Sequence, residues 1–354
     1  NIDHNVGRLR AFLAREGLAH NTILIFTSDN GTGAGEKVFN AGMRGRKQSE
    51  YDGGHRVPLF VHWPAGGLVG GRDVEPITAH VDVLPTLIDL AGIAPPKGVV
   101  FDGRSIRPLL ESRANPDDGS WPDRILVTDS QRVVDPIKWR RSAVMTNRWR
   151  LVNGTELYDI KQDPAQQNDV AGTQPNVVAR LKAFYEAWWA ELKPTFQRIP
   201  AIYLGHEGEN PVRLTSHDWI ATKSTPWNQS LVRQALDDPS ATGYWNVNVT
   251  AAGGYEIRLR RWPEEADTAI DALLPPGTDV PGESPFRASP GKAVQAVNAS
   301  VRIGDVTAEA PVEPGAKQVT LQMTLPAGKS RMRATFTTGD GGTVGAYYAY
   351  VRKQ

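Results

Sequence analysis

The 354-residue sequence contains no cysteine, which excludes a disulfide framework, a zinc–thiolate site and a cysteine nucleophile within this chain. It also lacks an apolar run long enough to cross a bilayer. The formal net charge is only +1, which argues against a nucleic-acid binder driven by overall charge and still allows a local basic patch. The seven histidines are scattered, without the paired spacing of a zinc site. What remains is the composition of an ordinary globular protein, long enough for two domains.

The first residues lack an initiator methionine and a basic-then-apolar signal pattern. Apolar residues at helical spacing, from Val6 to Leu18, predict a helix that ends near Gly17. We therefore expect the chain to start inside or just before a helix, and to be a piece of a longer protein.

The first half of the sequence mixes helical and strand-like segments. Residues 22–27 form a continuous apolar, β-branched run, which is typical of a strand buried on both faces of a parallel sheet. Further strands are predicted at 58–62, 124–130 and 140–146, and a hairpin at 148–160 with Asn153-Gly154 at its tip. Helices are predicted at 80–93, interrupted near Pro85, and at 176–192. This order predicts an α/β domain.

The pattern changes near Ile202 to short alternating segments separated by Gly, Pro and Asp, which predicts a mainly antiparallel β-sandwich. We place the boundary between Pro194 and Tyr203, giving domains 1–198 and 199–354. In residues 254–262 the alternation predicts one core face, comprising Tyr255, Ile257 and Leu259, and one outer face, comprising Glu256, Arg258, Arg260 and Trp262. That outer face suits either a sulfated glycan or docking on the first domain. Aromatic residues such as Trp227 and Trp245 more often form core than a sugar platform.

The long loop 27–58 carries the candidate site. Asp29 and Asn30 follow the predicted strand, at the sheet edge where α/β proteins bind ligands. Their hard oxygen donors suit Ca²⁺ and, less well, Mg²⁺, although this dipeptide also makes an ordinary turn. Lys47 on the same loop would complete an anion site beside such a metal. Arg44 and His55 either contact substrate or pack the loop.

His80 and Asp82 form a second polar pair that invites a metal-site interpretation. Asp82 lies three residues before Pro85, where a carboxylate also caps a helix, and we favour the cap.

Five blocks occur in a fixed order along residues 1–192, and together they are far more specific than any one of them. They are TSDNG, GMRGRKQSEYDGGHRVPLFVHWPAG, HVDVLPTLIDLAG, DGRSIRPLL and WRLVNGTELYDIKQDPAQQNDVA. In this order they resemble the later half of a type I sulfatase.

The resemblance implies an alkaline-phosphatase-like α/β fold and hydrolysis of sulfate esters, arylsulfatase-like, by a formylglycine with one Ca²⁺. It implies that Asp29 and Asn30 are calcium ligands and that Lys47 binds the sulfate. Asp52-Gly53-Gly54 stands where the family usually has Glu-Gly-Gly. The resemblance also implies a periplasmic or extracellular location, and a sulfated small molecule or glycan as the partner.

The family's nucleophile signature, Cys/Ser-x-Pro-x-Arg, does not occur in this sequence, and the SPFR segment at Ser284 has the wrong spacing. We therefore expect that the given chain is inactive by itself. Two alternatives stay open, namely a phosphodiesterase or phosphonate hydrolase of the same superfamily, and a non-catalytic glycan-binding protein related to sulfatases.

Overall fold

In the computed structural model the chain divides into two compact units, Asn1–Phe196 and Gln197–Gln354. The sequence analysis placed this division after residue 198. The structure describes residues 1–112, 119–131, 133, 135–220, 229–234, 242–278 and 290–354. Trp227 and Ser284 lie outside these ranges.

The first unit combines short helices with two small sheets. Its helices are Ile2–Arg15 (α1), Asp52–His55 (α2), Val83–Leu90 (α3), Arg107–Leu110 (α4) and Pro175–Leu192 (α5). Its strands are Leu24–Thr27 (β1), Leu59–His62 (β2), Leu126–Asp129 (β3), Ser142–Met145 (β4), Trp149–Val152 (β5) and Glu156–Asp159 (β6). Strands β1 and β2 form an antiparallel pair, and β3 to β6 form an antiparallel sheet in chain order.

The expectation that residues 22–27 lie in a parallel sheet and are buried on both faces is wrong for the described part of the unit. Strand β1 pairs only with β2 and runs antiparallel to it. Phe26 and Phe60, on these two strands, are 37% and 65% exposed. The apolar, β-branched composition does select a strand here. Burial, however, depends on which elements cover the strand, and composition does not specify them.

Three other local predictions for this unit concern the Asn153-Gly154 turn, Pro85 and helix α5, and their outcomes have simple physical reasons. Asn153 and Gly154 have φ values of 49° and 70°, so both adopt the left-handed conformation that the β5–β6 turn requires. Pro85 lies in the first turn of α3 and does not interrupt it, because a first-turn N–H has no partner within the helix. Helix α5 buries Leu181, Tyr185 and Trp189 at four-residue spacing. These side chains pack in one core cluster with Val144, Leu151 and Leu157 of β4 to β6.

In its described ranges, the second unit contains two β-sheets and one short α-helix. Its elements are Ile202–Leu204 (β7), Val212–Thr215 (β8), Gln229–Gln234 (α6), Trp245–Val249 (β9), Gly253–Arg260 (β10), Ala296–Ile303 (β11), Val306–Pro311 (β12), Val319–Leu325 (β13), Gly328–Thr338 (β14), Thr343–Gly345 (β15) and Tyr348–Lys353 (β16). One sheet has the order β13-β10-β16-β8, and the other has the order β12-β11-β14-β9-β7 with β15 paired to β14. All pairs are antiparallel except β7 with β9.

Alternate residues of both sheets are buried in a single apolar cluster. Tyr255, Ile257 and Leu259 of β10 are fully buried in it, as the alternation predicts. The prediction that Arg260 and Trp262 face outward is wrong, because they are 5% and 2% exposed. The alternation already fails at the end of β10, where Leu259 and Arg260 are both buried, and Trp262 lies beyond the strand, so the period of two does not apply to it. Trp245, too, is a fully buried core residue.

None of the helices in the described ranges combines the length and the apolar character that crossing a bilayer requires.

Two valines on β11 test the assignment of the core. Val301 is fully buried whereas Val297 is 44% exposed. We expect Val301→Ala to lower the free energy of unfolding of the second unit by about 2 kcal/mol or more, because it leaves a cavity. Val297→Ala removes the same atoms from a solvent-exposed position and should lower the free energy of unfolding by less than about 0.5 kcal/mol. Calorimetric unfolding of both variants measures the difference, and equal losses would contradict the core assignment.

Candidate functional site

The loop between β1 and β2 folds back on itself, so that its two ends lie side by side. Gly31 N–H donates to Gly54 O at 3.0 Å, and Lys47 N–H donates to Thr32 O at 2.9 Å. The segment that follows Asp29 and Asn30 therefore runs directly beside the segment that carries Lys47. The sequence separates these two segments, and the backbone hydrogen bonds bring them together.

Three glycines permit this close approach. A Cβ on Gly31 would lie 1.8 Å from Gly53 O, one on Gly53 would lie 2.2 Å from Gly45 O, and one on Gly54 would lie 2.0 Å from Ser49 O. Each neighbour is a backbone carbonyl, which cannot move aside as a flexible side chain can. The glycines are therefore needed for the packing of the loop and not only for turning the chain.

Asp29, Asn30 and Lys47 are among the polar residues of the loop whose side chains have no protein partner in the described ranges. Asp29 and Lys47 are exposed and Asn30 is half-buried. Within the described ranges, the structure shows no hydrogen bond or ion pair to the Asp29 carboxylate, the Asn30 amide group or the Lys47 ammonium group. The Lys47 side chain runs past Gly33, where a Cβ would lie 4.0 Å from Lys47 Cδ. Two oxygen donors and one cation are thus available to ligands along one short stretch.

Arg44 is held by other groups of the protein. Its guanidinium lies 3.8 Å from the ring centroid of Tyr51, and it donates to Tyr158 Oη at 3.0 Å and to Gln166 O at 2.9 Å. Tyr51 Oη and Tyr158 Oη both donate to the Glu156 carboxylate, Tyr51 at 2.9 Å. Burial raises the pKa of Tyr51 to about 12, and its bond to Glu156 acts in the same direction. These contacts fasten the loop to the β5–β6 hairpin, and the substrate contact of Arg44 stays a prediction.

Asp52 is the buried anchor of the loop. Its carboxylate is fully buried, accepts a hydrogen bond from Arg150 Nε at 2.8 Å and lies 3.5 Å from His55 Nε2. Its backbone N–H donates to Gln166 Oε1 at 2.8 Å. Burial alone would raise the pKa of Asp52, but the contact with His55 and the charge of Arg150 lower it to about 2. His55 thus faces a structural carboxylate, and its proposed contact with substrate stays a prediction.

Asp82 supports the cap interpretation over the metal interpretation. Its buried carboxylate accepts from Ala79 N–H at 2.8 Å, from Arg104 N–H at 3.0 Å and from Arg124 Nη1 at 2.8 Å. The bond from Ala79 caps the 3₁₀ turn His80–Asp82 that precedes α3. His80 is directed elsewhere, with Nε2 2.8 Å from Ser28 O.

The described residues contain no group of three or more His, Cys, Asp or Glu side chains placed to hold a metal ion. Asp29 and Asn30 can therefore supply only part of a Ca²⁺ ligand set, which usually comprises about 6–8 oxygens. Their chemistry fits that part, since both are hard donors whose oxygens have no other partner within the described ranges.

Comparison with known proteins shows which family the first part of the chain resembles. The model of the family described as "Sulfatase" matches residues 1–93, which include the whole loop from β1 to β2. A steryl-sulfatase from Rattus norvegicus is 41% identical over 117 residues, 31% of this chain and 20% of that protein. The first part of the chain is therefore similar to sulfatases. An N-acetylglucosamine-6-O-sulfatase from Bacteroides thetaiotaomicron is 29% identical over 177 residues, 48% of this chain and 30% of that protein. An arylsulfatase from Clostridium perfringens is 35% identical over 182 residues, 49% of this chain and 34% of that protein.

These sulfatases are much longer than the segments they share with this chain, which spans 20% to 34% of their lengths. The shared order of sequence blocks was the signal that the sequence offered for the family. Arg150 and Gln166, which hold the loop between β1 and β2 in place, gave no such signal, because they lie 98 and 114 residues from Asp52 and carry no local pattern.

A pair of glycine variants tests the packing of the loop. Gly31→Ala would force a Cβ against Gly53 O, whereas at Gly33 no atom lies closer than 4.0 Å. We expect Gly31→Ala to lower the free energy of unfolding by about 1–3 kcal/mol, and Gly33→Ala to leave it within about 0.5 kcal/mol. Thermal unfolding of the two variants measures this, and equal stability would show that the loop does not close as described.

A second pair of variants tests the anchor. Asp52→Asn leaves the Arg150 charge buried without its counter-charge, and we expect a loss of about 3 kcal/mol or more. Arg56→Gln removes an exposed charge 3.8 Å from the same carboxylate and should cost less than about 1 kcal/mol. Denaturant unfolding measures both changes.

The same anchor predicts a dependence on pH. The pKa of Asp52 lies below its ordinary value of 3.8, so its contribution to stability is complete above that value and is lost as the pH falls toward 2. The unmodified chain should lose stability more steeply than Asp52→Asn over this interval. If the free energy of unfolding falls equally with pH in the unmodified chain and in Asp52→Asn, the assignment of Asp52 is contradicted.

Proposed function

We propose that this chain is part of a sulfuric ester hydrolase, arylsulfatase-like, that releases sulfate from aryl or carbohydrate sulfate esters. The single observation that carries the proposal is the loop from β1 to β2. It presents Asp29, Asn30 and Lys47 without protein partners in the described ranges, close to one another along the paired ends of the loop, whereas buried groups such as Asp52 hold the loop in place.

In this proposal Asp29 and Asn30 hold Ca²⁺ through their side-chain oxygens. When bound, the ion supplies positive charge that neutralises the sulfate and the charge that develops as the ester breaks. The exposed position of Asp29 at the end of β1 leaves its carboxylate open to such a ligand. The remaining ligands come from water or from polypeptide outside this sequence.

Lys47 has the complementary task of binding a sulfate oxygen. A lysine is a compact charge with three donors, so it can follow the oxygen as charge accumulates in the transition state. The bond from Lys47 N–H to Thr32 O fixes the base of its side chain beside the Asp29–Asn30 segment. Lys47 therefore starts from a defined position even though its side chain is exposed.

The nucleophile and the acid that protonates the leaving alcohol are proposed to lie outside this sequence. The family resemblance implies a formylglycine for the nucleophile, and no Cys/Ser-x-Pro-x-Arg signature occurs among the 354 residues. The resemblance further implies an alkaline-phosphatase-like fold for the complete catalytic domain and a periplasmic or extracellular location. For the second unit we propose a β-sandwich, because its two sheets share one apolar core.

Paired variants test the role of Lys47. The chain is expressed alone and together with the polypeptide that its gene encodes upstream, and hydrolysis of an aryl sulfate is measured. We expect no turnover by the 354-residue chain and turnover by the longer product. In the longer product, Lys47→Ala should lower kcat/KM by about 10²–10³, because it removes a charge that stabilises the transition state. Lys37→Ala, which removes an exposed lysine from the same loop, should change it less than about twofold.

Several outcomes would contradict the proposal. Turnover by the 354-residue chain alone would refute the proposal that the nucleophile lies outside this sequence. Faster hydrolysis of a phosphate diester than of the sulfate ester would favour the phosphodiesterase alternative. An upstream sequence without the nucleophile signature, together with binding but no turnover, would favour the non-catalytic glycan-binding alternative. Removal of Ca²⁺ by a chelator without loss of activity would refute the metal assignment.

A further inference from the structure

Strand β14 presents an unpaired basic strip on the outer face of the larger sheet. Lys329, Arg331 and Arg333 are exposed and alternate with core residues, of which Met332 and Ala334 are fully buried. Successive members of the strip lie roughly 6.6–6.8 Å apart along the strand. In the described ranges, no acidic side chain pairs with any of the three.

The neighbouring strand adds to this charge instead of neutralising it. Arg302 of β11 lies directly opposite Arg333 in the antiparallel register. Like charges at directly opposite positions destabilise a sheet. Arg302 turns toward its own hairpin, donating to Gly304 O at 2.9 Å and lying 3.8 Å from the exposed Asp305 carboxylate. The sheet thus tolerates a repulsive arrangement that contributes nothing to its own stability.

On the outer face of the smaller sheet, by contrast, two arginines form ion pairs with acidic side chains. There Arg213 pairs with Glu265 at 2.9 Å, and Arg258 pairs with Glu264 at 2.8 Å. Arg258 also lies 5.2 Å from the ring centroid of Tyr350. Arg258 belongs to the outer face for which the sequence suggests a sulfated glycan, and both Arg258 and Arg213 are already paired with acidic side chains of the 264–266 turn.

The groups around the strip on β14 are polar and aromatic. Asn246 and Asn248 of β9 lie opposite Arg331 and Lys329 in the register. Tyr244 lies beneath the Arg331 guanidinium, with its ring centroid 4.6 Å away. Tyr203 of β7, opposite Asn248, is 58% exposed. Amide groups can hydrogen-bond to hydroxyls, and exposed aromatic rings can pack on sugar rings, so the strip is bordered by groups that suit a saccharide.

We propose that the outer face of the β11–β14–β9–β7 sheet binds a sulfated polysaccharide. Lys329, Arg331 and Arg333 would bind successive sulfate groups along the chain, and Asn248 and Tyr203 would contact its sugar rings. The choice of a sulfated saccharide over another polyanion rests on the proposed function. The observation of the basic strip does not depend on the proposed function.

Binding by the intact 354-residue chain tests the proposal. The probes are dextran sulfate, unsulfated dextran of the same length and a double-stranded DNA, and the dissociation constants are measured by titration calorimetry at fixed salt. For dextran sulfate, we expect Arg331→Gln/Arg333→Gln to raise Kd about tenfold or more, because two charge-assisted contacts are lost. The matched control, Arg213→Gln/Arg352→Gln, removes two charges from the smaller sheet and should raise Kd less than about twofold. Unsulfated dextran should not bind.

The single variant Arg333→Gln controls for loss of binding through misfolding. Within the described ranges the Arg333 side chain has no hydrogen bond or ion pair, so its replacement should leave the fold intact. It should weaken binding about threefold or more while the melting temperature stays unchanged. Equal losses in the two double variants, no binding of dextran sulfate, or tighter binding of DNA would each overturn the proposal. This experiment measures binding and not turnover. A failure of the binding proposal can therefore be distinguished from a failure of the proposed hydrolase function, which the Lys47 variants test.

Discussion

The buried ion pair between Asp52 and Arg150 is the interaction on which the rest of the candidate site depends. It joins a glycine-rich loop, which has little regular structure of its own, to strand β5 of a well-packed sheet. A buried pair of this kind contributes little net stability, but it costs a great deal when only one partner is present. The loop is consequently fixed in one position relative to the sheet, and Gln166 and Glu50 extend the same attachment through hydrogen bonds to Asp52 N–H and Asn153.

Once the loop is fixed, its charged groups divide into two kinds. Arg44 and Asp52 pair with other groups of the protein through hydrogen bonds and charge. Asp29 and Lys47 do not, although they lie on the same loop, and both are exposed. A folded protein normally gains from satisfying such groups, so groups that are left available on a rigid support indicate binding or catalysis. This division separates the proposed sulfate site from the structure that carries it.

The second unit shows the same division on a larger scale. Both of its sheets bury alternate residues in one core, so both have outer faces that carry arginines. On the smaller sheet, Glu264 and Glu265 pair with Arg258 and Arg213. On the larger sheet, Arg302 and Arg333 lie directly opposite each other on adjacent strands, and no acidic side chain of the described ranges pairs with Arg333. Since net charge on the whole chain is only +1, this local imbalance cannot be seen in the composition.

The sequence by itself determined the resemblance to sulfatases, the change from a mixed to a β-rich half, the Asn153-Gly154 turn and the core face of β10, because each depends on local order or on a short period. It also selected Asp29, Asn30 and Lys47 through the family pattern, and their roles stay predictions. It could not give the antiparallel pairing and exposure of β1, or the burial of Arg260 and Trp262, because these depend on which element lies alongside. Only the tertiary structure decided that Asp52 meets Arg150 and that Arg302 lies opposite the basic strip of β14. Contacts across 98 residues and the register of neighbouring strands leave no periodic trace in the chain.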